Sequence, residues 1–387
     1  MAKRIKVGFI YSYDENWIGG TYYYQNLIQS LNLLPSSIKP HLVILSDKTE
    51  SFDSIKEFNY PFVTYQLINN TKEGFFEKYK NKLKRKLFSI KSVNNKKINF
   101  GIDVLFHPSE VNIPNTIKKH LYWIPDFQEV YLPYLFAKDY LDLRKKSQEE
   151  LLSNDKHVLF SSADSFNDFK KLYPSRKSKC YVVNFAVFHS NFSGLKIEDL
   201  KNKYNIQHEI PYFFSPNQFW EHKNHIVILK AIKKIKETYD FKFQVLLSGK
   251  EFDHRNPIYF DSLKEYVKKN DLVENIIFLG FIDRKEQLCF MKNALTIIQP
   301  SLFEGWSSVV EDAKAMNQNL IVSSLNVHKE QLGNQGYYFN PYNENELIDQ
   351  IILFLKNDIA KPEFSYEENL SLFGSKFLDV INKINLK

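Results

Sequence analysis

The chain has 387 residues, 43% hydrophobic and 25% charged, a balance that fits a globular protein of two or three domains and argues against a disordered or fibrous chain. No apolar run approaches the ~20 residues of a membrane-spanning helix, so the sequence offers no candidate span. The net charge of +7 is concentrated in one place: residues 72–97 carry ten Lys/Arg against two Glu, a net +8 that leaves the remainder near −1.

In chain order, short apolar and β-branched runs alternate with longer amphipathic stretches. The N-terminus, MAKRIKVGFIYS, has only a strand-length apolar run, the pattern of a first strand rather than of a secretory leader. Predicted strands follow at 5–11, 41–46, 102–106, 120–124, 157–161 and 181–185. A polar stretch, HSNFSGLKIEDLKNKYNIQHEI (189–210), reads as a linking region, and the pattern restarts at 211–215, 243–248, 276–280, 295–299 and 320–324. Helices are predicted at 223–238 and, at the end of the chain, at 365–384. Continuously apolar strands separated by helices mean parallel sheets covered on both faces. The expected fold is therefore α/β, with two tandem Rossmann-like, doubly wound domains. Their expected bounds are 1–195 and 196–367, with 368–387 able to return to the first domain. Cys180 and Cys289 have no metal or redox spacing around them, so reduced, buried thiols and a cytoplasmic location are expected.

Ligands of open parallel sheets bind beyond the carboxyl ends of strands, where loops enter helices. Three segments occupy such points. Gly19 and Gly20, after the first strand, would let backbone approach a phosphate at a helix start; a ligand-free turn fits as well. In SPNQFWEHKNH (215–225), Lys223 is expected to begin a helix, against the local dipole, a placement that an anion such as a diphosphate would reconcile. Asn217, Trp220 and His222 stand beside it. In SLFEGWSSVVEDAKA (301–315), Ser307 or Ser308 can cap a helix, and Ser308 with Glu311 fits a capping box. That box explains Glu311 but not Glu304, which precedes the turn. Carboxylates accept from vicinal hydroxyls and helix amides donate to phosphate, and a nucleotide sugar offers both groups. No G-x-G-x-x-G occurs, so a dinucleotide fingerprint is missing.

The run FEGWSSVVEDAKAMNQNLIVSSLNVHKEQL resembles the E-G-x(n)-E signature of retaining GT-B glycosyltransferases of the family-four type, also called glycosyltransferase group 1. NQFWEHKNH resembles that family's phosphate-binding segment, and WIPDFQEVYLP (123–133) a loop of its bacterial polysaccharide members. The resemblance implies two Rossmann-like domains facing across a cleft. It implies that Glu311 holds the nucleotide ribose and that Glu304 meets the transferred sugar. Gly305, Trp306, Ser307 and Ser308 would line the sugar and diphosphate pocket, and Lys223 would neutralise the leaving diphosphate. Gly20 would contact that group from the other domain, and Gly249, Phe281 and Ile282 would border the nucleobase. The chain departs from the family in three respects, one of them that the acceptor-side histidine of the family's N-terminal domain is replaced around Pro125–Asp126. Six residues separate Glu304 from Glu311 where seven are usual, and Asn217 stands where an Arg is common. Asp126, with His107 as second choice, is the candidate for the acceptor side.

The expected reaction moves a sugar from a nucleotide sugar to a glycan or lipid-linked acceptor with retention, as in bacterial surface polysaccharide synthesis. No D-x-D occurs, and neither a metal nor another cofactor is expected. Residues 72–97 interleave aromatics and lysines as a surface-lying amphipathic helix would, so docking on an anionic membrane is expected there, at the inner face of the plasma membrane. A solvated helix face is the alternative. Three rival functions stay open: a nucleotide-sugar 2-epimerase, a nucleic-acid binder using the same lysines, and a catalytically silent partner subunit.

Overall fold

The computed structural model describes residues 3–13, 18–68, 101–107 and 117–386. The basic segment 72–97 lies outside the described residues. The strands are β1 (Lys6–Ile10), β2 (His41–Ser46), β3 (Val63–Leu67), β4 (Val104–Phe106), β5 (His120–Ile124), β6 (His157–Phe160) and β7 (Lys179–Val182), then β8 (Tyr212–Pro216), β9 (Gln244–Ser248), β10 (Ile276–Gly280), β11 (Thr296–Gln299), β12 (Leu320–Ser323) and β13 (Tyr337–Phe339). They form a seven-stranded sheet of order β3-β2-β1-β4-β5-β6-β7 and a six-stranded sheet of order β10-β9-β8-β11-β12-β13. Every pairing is parallel. Both sheets run outward from their first strand and then reverse. The reversal leaves a crevice beyond β1/β4 in one and beyond β8/β11 in the other.

Burial explains which strands the sequence showed. The central strands β4, β6, β8, β9, β11 and β12 are buried at every residue, and each carries two or three adjacent apolar residues. The two strands missing from the expected set, β3 (VTYQL) and β13 (YYF), are sheet edges with partly exposed residues. At these two edges solvent reaches the side chains and the apolar run is short and mixed, whereas the edge strand β10 (IIFLG) keeps its run. The edge strand β7 also begins two residues earlier than expected, on Lys179.

The chain divides into two compact units, one of residues 1–127, 137–188 and 367–387, the other of 128–136 and 189–366. Residues 128–136 thus leave the first unit and pack within the second. The C-terminal helix Tyr366–Asn385 lies on the first unit's helix Ile18–Leu33. Gly374 permits the approach: a Cβ there would come within 2.7 Å of the Ser30 backbone, and its N–H donates to Ser30 Oγ at 2.6 Å. Cys289 is buried and Cys180 only partly so, with no disulfide between them.

Candidate functional site

The second unit's crevice is built by the loops after β8 and β11, the two strands on either side of the reversal. Lys223 comes from the first loop and Glu304 from the second. Lys223 does not begin a helix, contrary to expectation. It ends a 3₁₀ turn, Glu221–Lys223, and the helix His225–Thr238 starts only after Asn224, which is left-handed at φ 56°. Asn tolerates that conformation, and its side chain fixes the turn by donating to the Pro300 and Pro341 carbonyls at 3.1 and 2.9 Å. The Leu302 N–H donates to the His222 carbonyl at 2.8 Å, tying the two loops together.

Lys223 Nζ reaches Glu304 Oε1 at 2.6 Å, and their side chains are 16% and 9% exposed. Gln299 Nε2 and Ser301 Oγ donate to the same oxygen at 2.8 and 2.6 Å, and none of the three reaches Oε2. Burial pushes the Glu304 carboxyl up, but the Lys223 charge, His328 and the hydrogen bonds from Lys223 and Ser301 outweigh it and hold the group below its ordinary value. Asn217 extends the network by donating to Gln299 Oε1 at 2.8 Å. Gly249 lies directly on Asn217: with φ at +152°, a Cβ would sit 2.2 Å from the Asn217 carbonyl oxygen. Asn217, Gly249, Lys223 and Glu304 are therefore one packed group.

Three buried histidines surround it. His222 accepts at Nδ1 from Arg255 at 3.1 Å. A guanidinium only donates, so this ring is neutral at that nitrogen, and burial, then Lys223 and Arg255, push its pKa well down. His225, against Phe219 at 4.6 Å, is pushed down to about 3 by burial and Lys223. His328 Nδ1 lies 2.8 Å from the Ser323 carbonyl oxygen, which only accepts, so Nδ1 carries the proton. Burial lowers its pKa and Glu304 partly offsets that. His225 and His328 were not singled out in the sequence. Neither was Arg255, which clasps Asp253 and lies 4.9 Å over Trp220.

The helix after Glu304 starts one residue before the expected capping box. Ser307 is the cap and accepts from Val310, so Ser308 and Glu311 do not form that box. Glu311 is instead buried, taking Lys314 at 2.9 Å and Gln331 at 2.9 Å on Oε1. Gln331 also brackets Ser307 through its N–H and carbonyl. The next residue, Asp312, has seven residues between it and Glu304, the spacing that Glu311 misses by one. It binds both nitrogens of the Arg284 fork, with Nη1 at 2.8 Å, and His189 Nε2 at 3.0 Å. Burial raises the Asp312 carboxyl, and Arg284 with His189 brings it below its ordinary value. Arg284 begins the helix after β10, two residues past Ile282, so Asp312 faces the β10 loop while Glu311 faces the helix Asn326–Leu332. Gly305 and Ser307 are buried, Trp306 and Ser308 are partly exposed, and Ile282 is buried beside Phe281, which is 60% exposed.

The remaining candidates belong to the first unit. Gly19 and Gly20 open the helix after β1 and His107 follows β4, so these three flank that sheet's own reversal point. His107 is left-handed at φ 54°, and burial with Arg144 pushes its pKa down to about 4. The Asp126 carbonyl, beyond β5, accepts from Arg144 at 3.4 Å.

Comparison with known proteins agrees with this architecture. Residues 196–370 match the family model of glycosyl transferases group 1. The O-antigen chain mannosyltransferase RfbU of Salmonella typhimurium is 26% identical over 277 residues, 69% of this chain and 72% of that protein. A glycosyltransferase from Rickettsia africae superposes with a TM-score of 0.64 at 16% identity, covering 99% of this chain and 96% of its own. Anabaena HepE, solved with UDP and glucose, superposes at 0.61 and 12% identity over 99% and 98%. The fold is GT-B, and residues 196–370 are similar to glycosyl transferases group 1. Among the described residues no helix is long and apolar enough to cross a membrane.

Proposed function

We propose that the enzyme transfers a sugar from a nucleotide-sugar donor to a glycan or lipid-linked acceptor with retention of configuration, in the synthesis of a bacterial surface polysaccharide. The observation that carries this reading is the Lys223–Glu304 pair, 2.6 Å long and nearly buried, at the reversal point of the second sheet. A cation and an acid that share one crevice match a ligand bearing both phosphate and hydroxyls. The mannosyltransferase relative and a neighbour solved with UDP and glucose support the donor class and the product class.

In the proposed step an acceptor hydroxyl attacks the anomeric carbon as its bond to the diphosphate oxygen breaks, on the same face of the sugar. The acceptor's proton passes to the departing phosphate oxygen. Lys223 exchanges Glu304 for the developing phosphate charge, and Glu304 accepts from the sugar's hydroxyls. A preorganised donor of this kind is worth about 3–4 kcal/mol in other enzymes. The ribose hydroxyls are placed at Asp312 in preference to Glu311, because Asp312 has the family spacing and faces the β10 loop proposed to border the base. The first unit's Gly20 is proposed to meet the diphosphate, and Asp126 or His107 the acceptor. The lysines of 72–97 are proposed to seat the enzyme on an anionic inner-membrane surface.

Metal independence is part of the proposal. Among the described residues no group of three or more His, Cys, Asp or Glu is set to hold an ion. Incubation with a panel of nucleotide sugars, in the presence of EDTA, should raise the melting temperature with one donor and release its nucleotide when acceptor is added. An isomerised donor with no glycoside would establish an epimerase instead. Turnover lost to EDTA and restored by manganese would overturn the metal-free step.

A further inference from the structure

The loop that carries Glu304 also carries an aromatic surface that the donor chemistry leaves unused. Phe303 stacks on Tyr131, with ring centroids 5.4 Å and planes 28° apart. Tyr131 is 50% exposed, and beyond it Tyr134 and Tyr342 are 64% and 72% exposed. Partial burial, then the Glu221 carboxylate and Tyr342, raise the Tyr134 phenol, so both groups act on Tyr134. Glu221 is itself held: Asn256 donates to its Oε2 at 2.7 Å, and its own N–H donates to Asp253 at 3.1 Å. Tyr131 and Tyr134 belong to 128–136, the stretch that leaves the first unit to pack in the second. Arg255 pins that stretch by donating to Gln128 Oε1 at 3.0 Å and lying 5.5 Å over Phe136.

A pyranose ring has one face of C–H groups and a rim of hydroxyls. An aromatic face is electron-rich and attracts polarised C–H, while phenols and carboxylates pair with hydroxyls. A lipid surface would instead favour an apolar patch edged by cations, whereas the charged group acting on Tyr134 is the Glu221 carboxylate. We propose that the stacked Tyr131–Phe303 pair, with the exposed Tyr134 three residues on, is a platform for a pyranose ring of the acceptor glycan. Phe303 and Glu304 are consecutive, so a sugar on the platform is held beside the proposed donor site. The inference rests on the glycosyltransfer reading for the ligand's role, and on the aromatic geometry for its chemistry.

Saturation-transfer NMR on the full chain tests it, with millimolar methyl glycosides of mannose, glucose, galactose, rhamnose and N-acetylglucosamine as probes. At least one glycoside should receive saturation at its ring C–H protons. Its affinity should fall about three- to tenfold in Tyr131→Ala and persist in Tyr131→Phe, while the donor-induced melting shift stays in both. No transfer from any of the five, or equal transfer to Tyr131→Ala, would overturn the platform. So would a dimer of the wild type that Tyr131→Ala dissociates, since the surface would then belong to a second copy. If no nucleotide sugar shifts the melting temperature but glycoside binding still depends on Tyr131, the donor reading fails and the platform stands.

Discussion

Replacing Lys223 by Met removes the charge that keeps Glu304 ionised in its pocket. Glu304 then retains only two neutral donors, Gln299 at 2.8 Å and Ser301 at 2.6 Å, on a side chain 9% exposed. Breaking one side of a buried pair costs about 3–5 kcal/mol, because the other charge is stranded. Burying a neutral pair of similar volume is far less costly, so adding Glu304→Gln to Lys223→Met should recover most of the loss. A double-mutant cycle by urea unfolding, followed by tryptophan fluorescence, should therefore give a coupling of about 2 kcal/mol or more. The pH dependence carries a second signature. In the single variant burial is no longer opposed by Lys223, so Glu304's folded pKa rises above its ordinary 4.5. Such a group stabilises below its unfolded pKa and loses that contribution as pH rises, so the gap between parent and variant should narrow as pH falls toward 4.5. Turnover of the single variant should fall about 10²–10³-fold. A Lys223→Met protein within about 0.5 kcal/mol of the parent, with additive effects in the cycle, would refute the reasoning.

Gly249→Ala should cost about 2 kcal/mol or more, from an unfavourable φ of +152° together with a contact 2.2 Å from the Asn217 carbonyl oxygen; a lowered melting temperature and weakened donor response check it. His225, neutral in the fold with a pKa of about 3, contributes stability above the ordinary 6.5 that is lost as pH falls below it. By pH 5 the loss from this one residue reaches about 2 kcal/mol, so His225→Leu should show a flatter melting temperature between pH 7.5 and about 5. Asp312→Ala should abolish the nucleotide-induced melting shift while Glu311→Gln keeps it. The reverse result would return the ribose to Glu311.

The core of the fold was legible wherever a strand was buried on both faces. Runs such as HVLF at β6 and LIVS at β12 are apolar at three residues of four because both sides meet helices. At the edges β3 and β13 solvent reaches the side chains and the signal fades, which is why those two were missed. The acid and the lysine of the site were legible too, since each follows a buried strand and precedes a helix. Their order in the chain could not reveal that they meet, because 80 residues separate 223 from 304.

The local sequence thus determined the buried strands and the chemical types available near their ends, because periodicity acts over a few residues. Tertiary structure decided which of those ends are neighbours. Placing β8 beside β11 turned Lys223 and Glu304 into a 2.6 Å pair. Capping at Ser307 sent Glu311 toward Lys314 and Gln331, and Asp312 toward Arg284. A one-residue change in helix start rotates every following side chain by roughly 100°, and only the packing around the helix fixes that start.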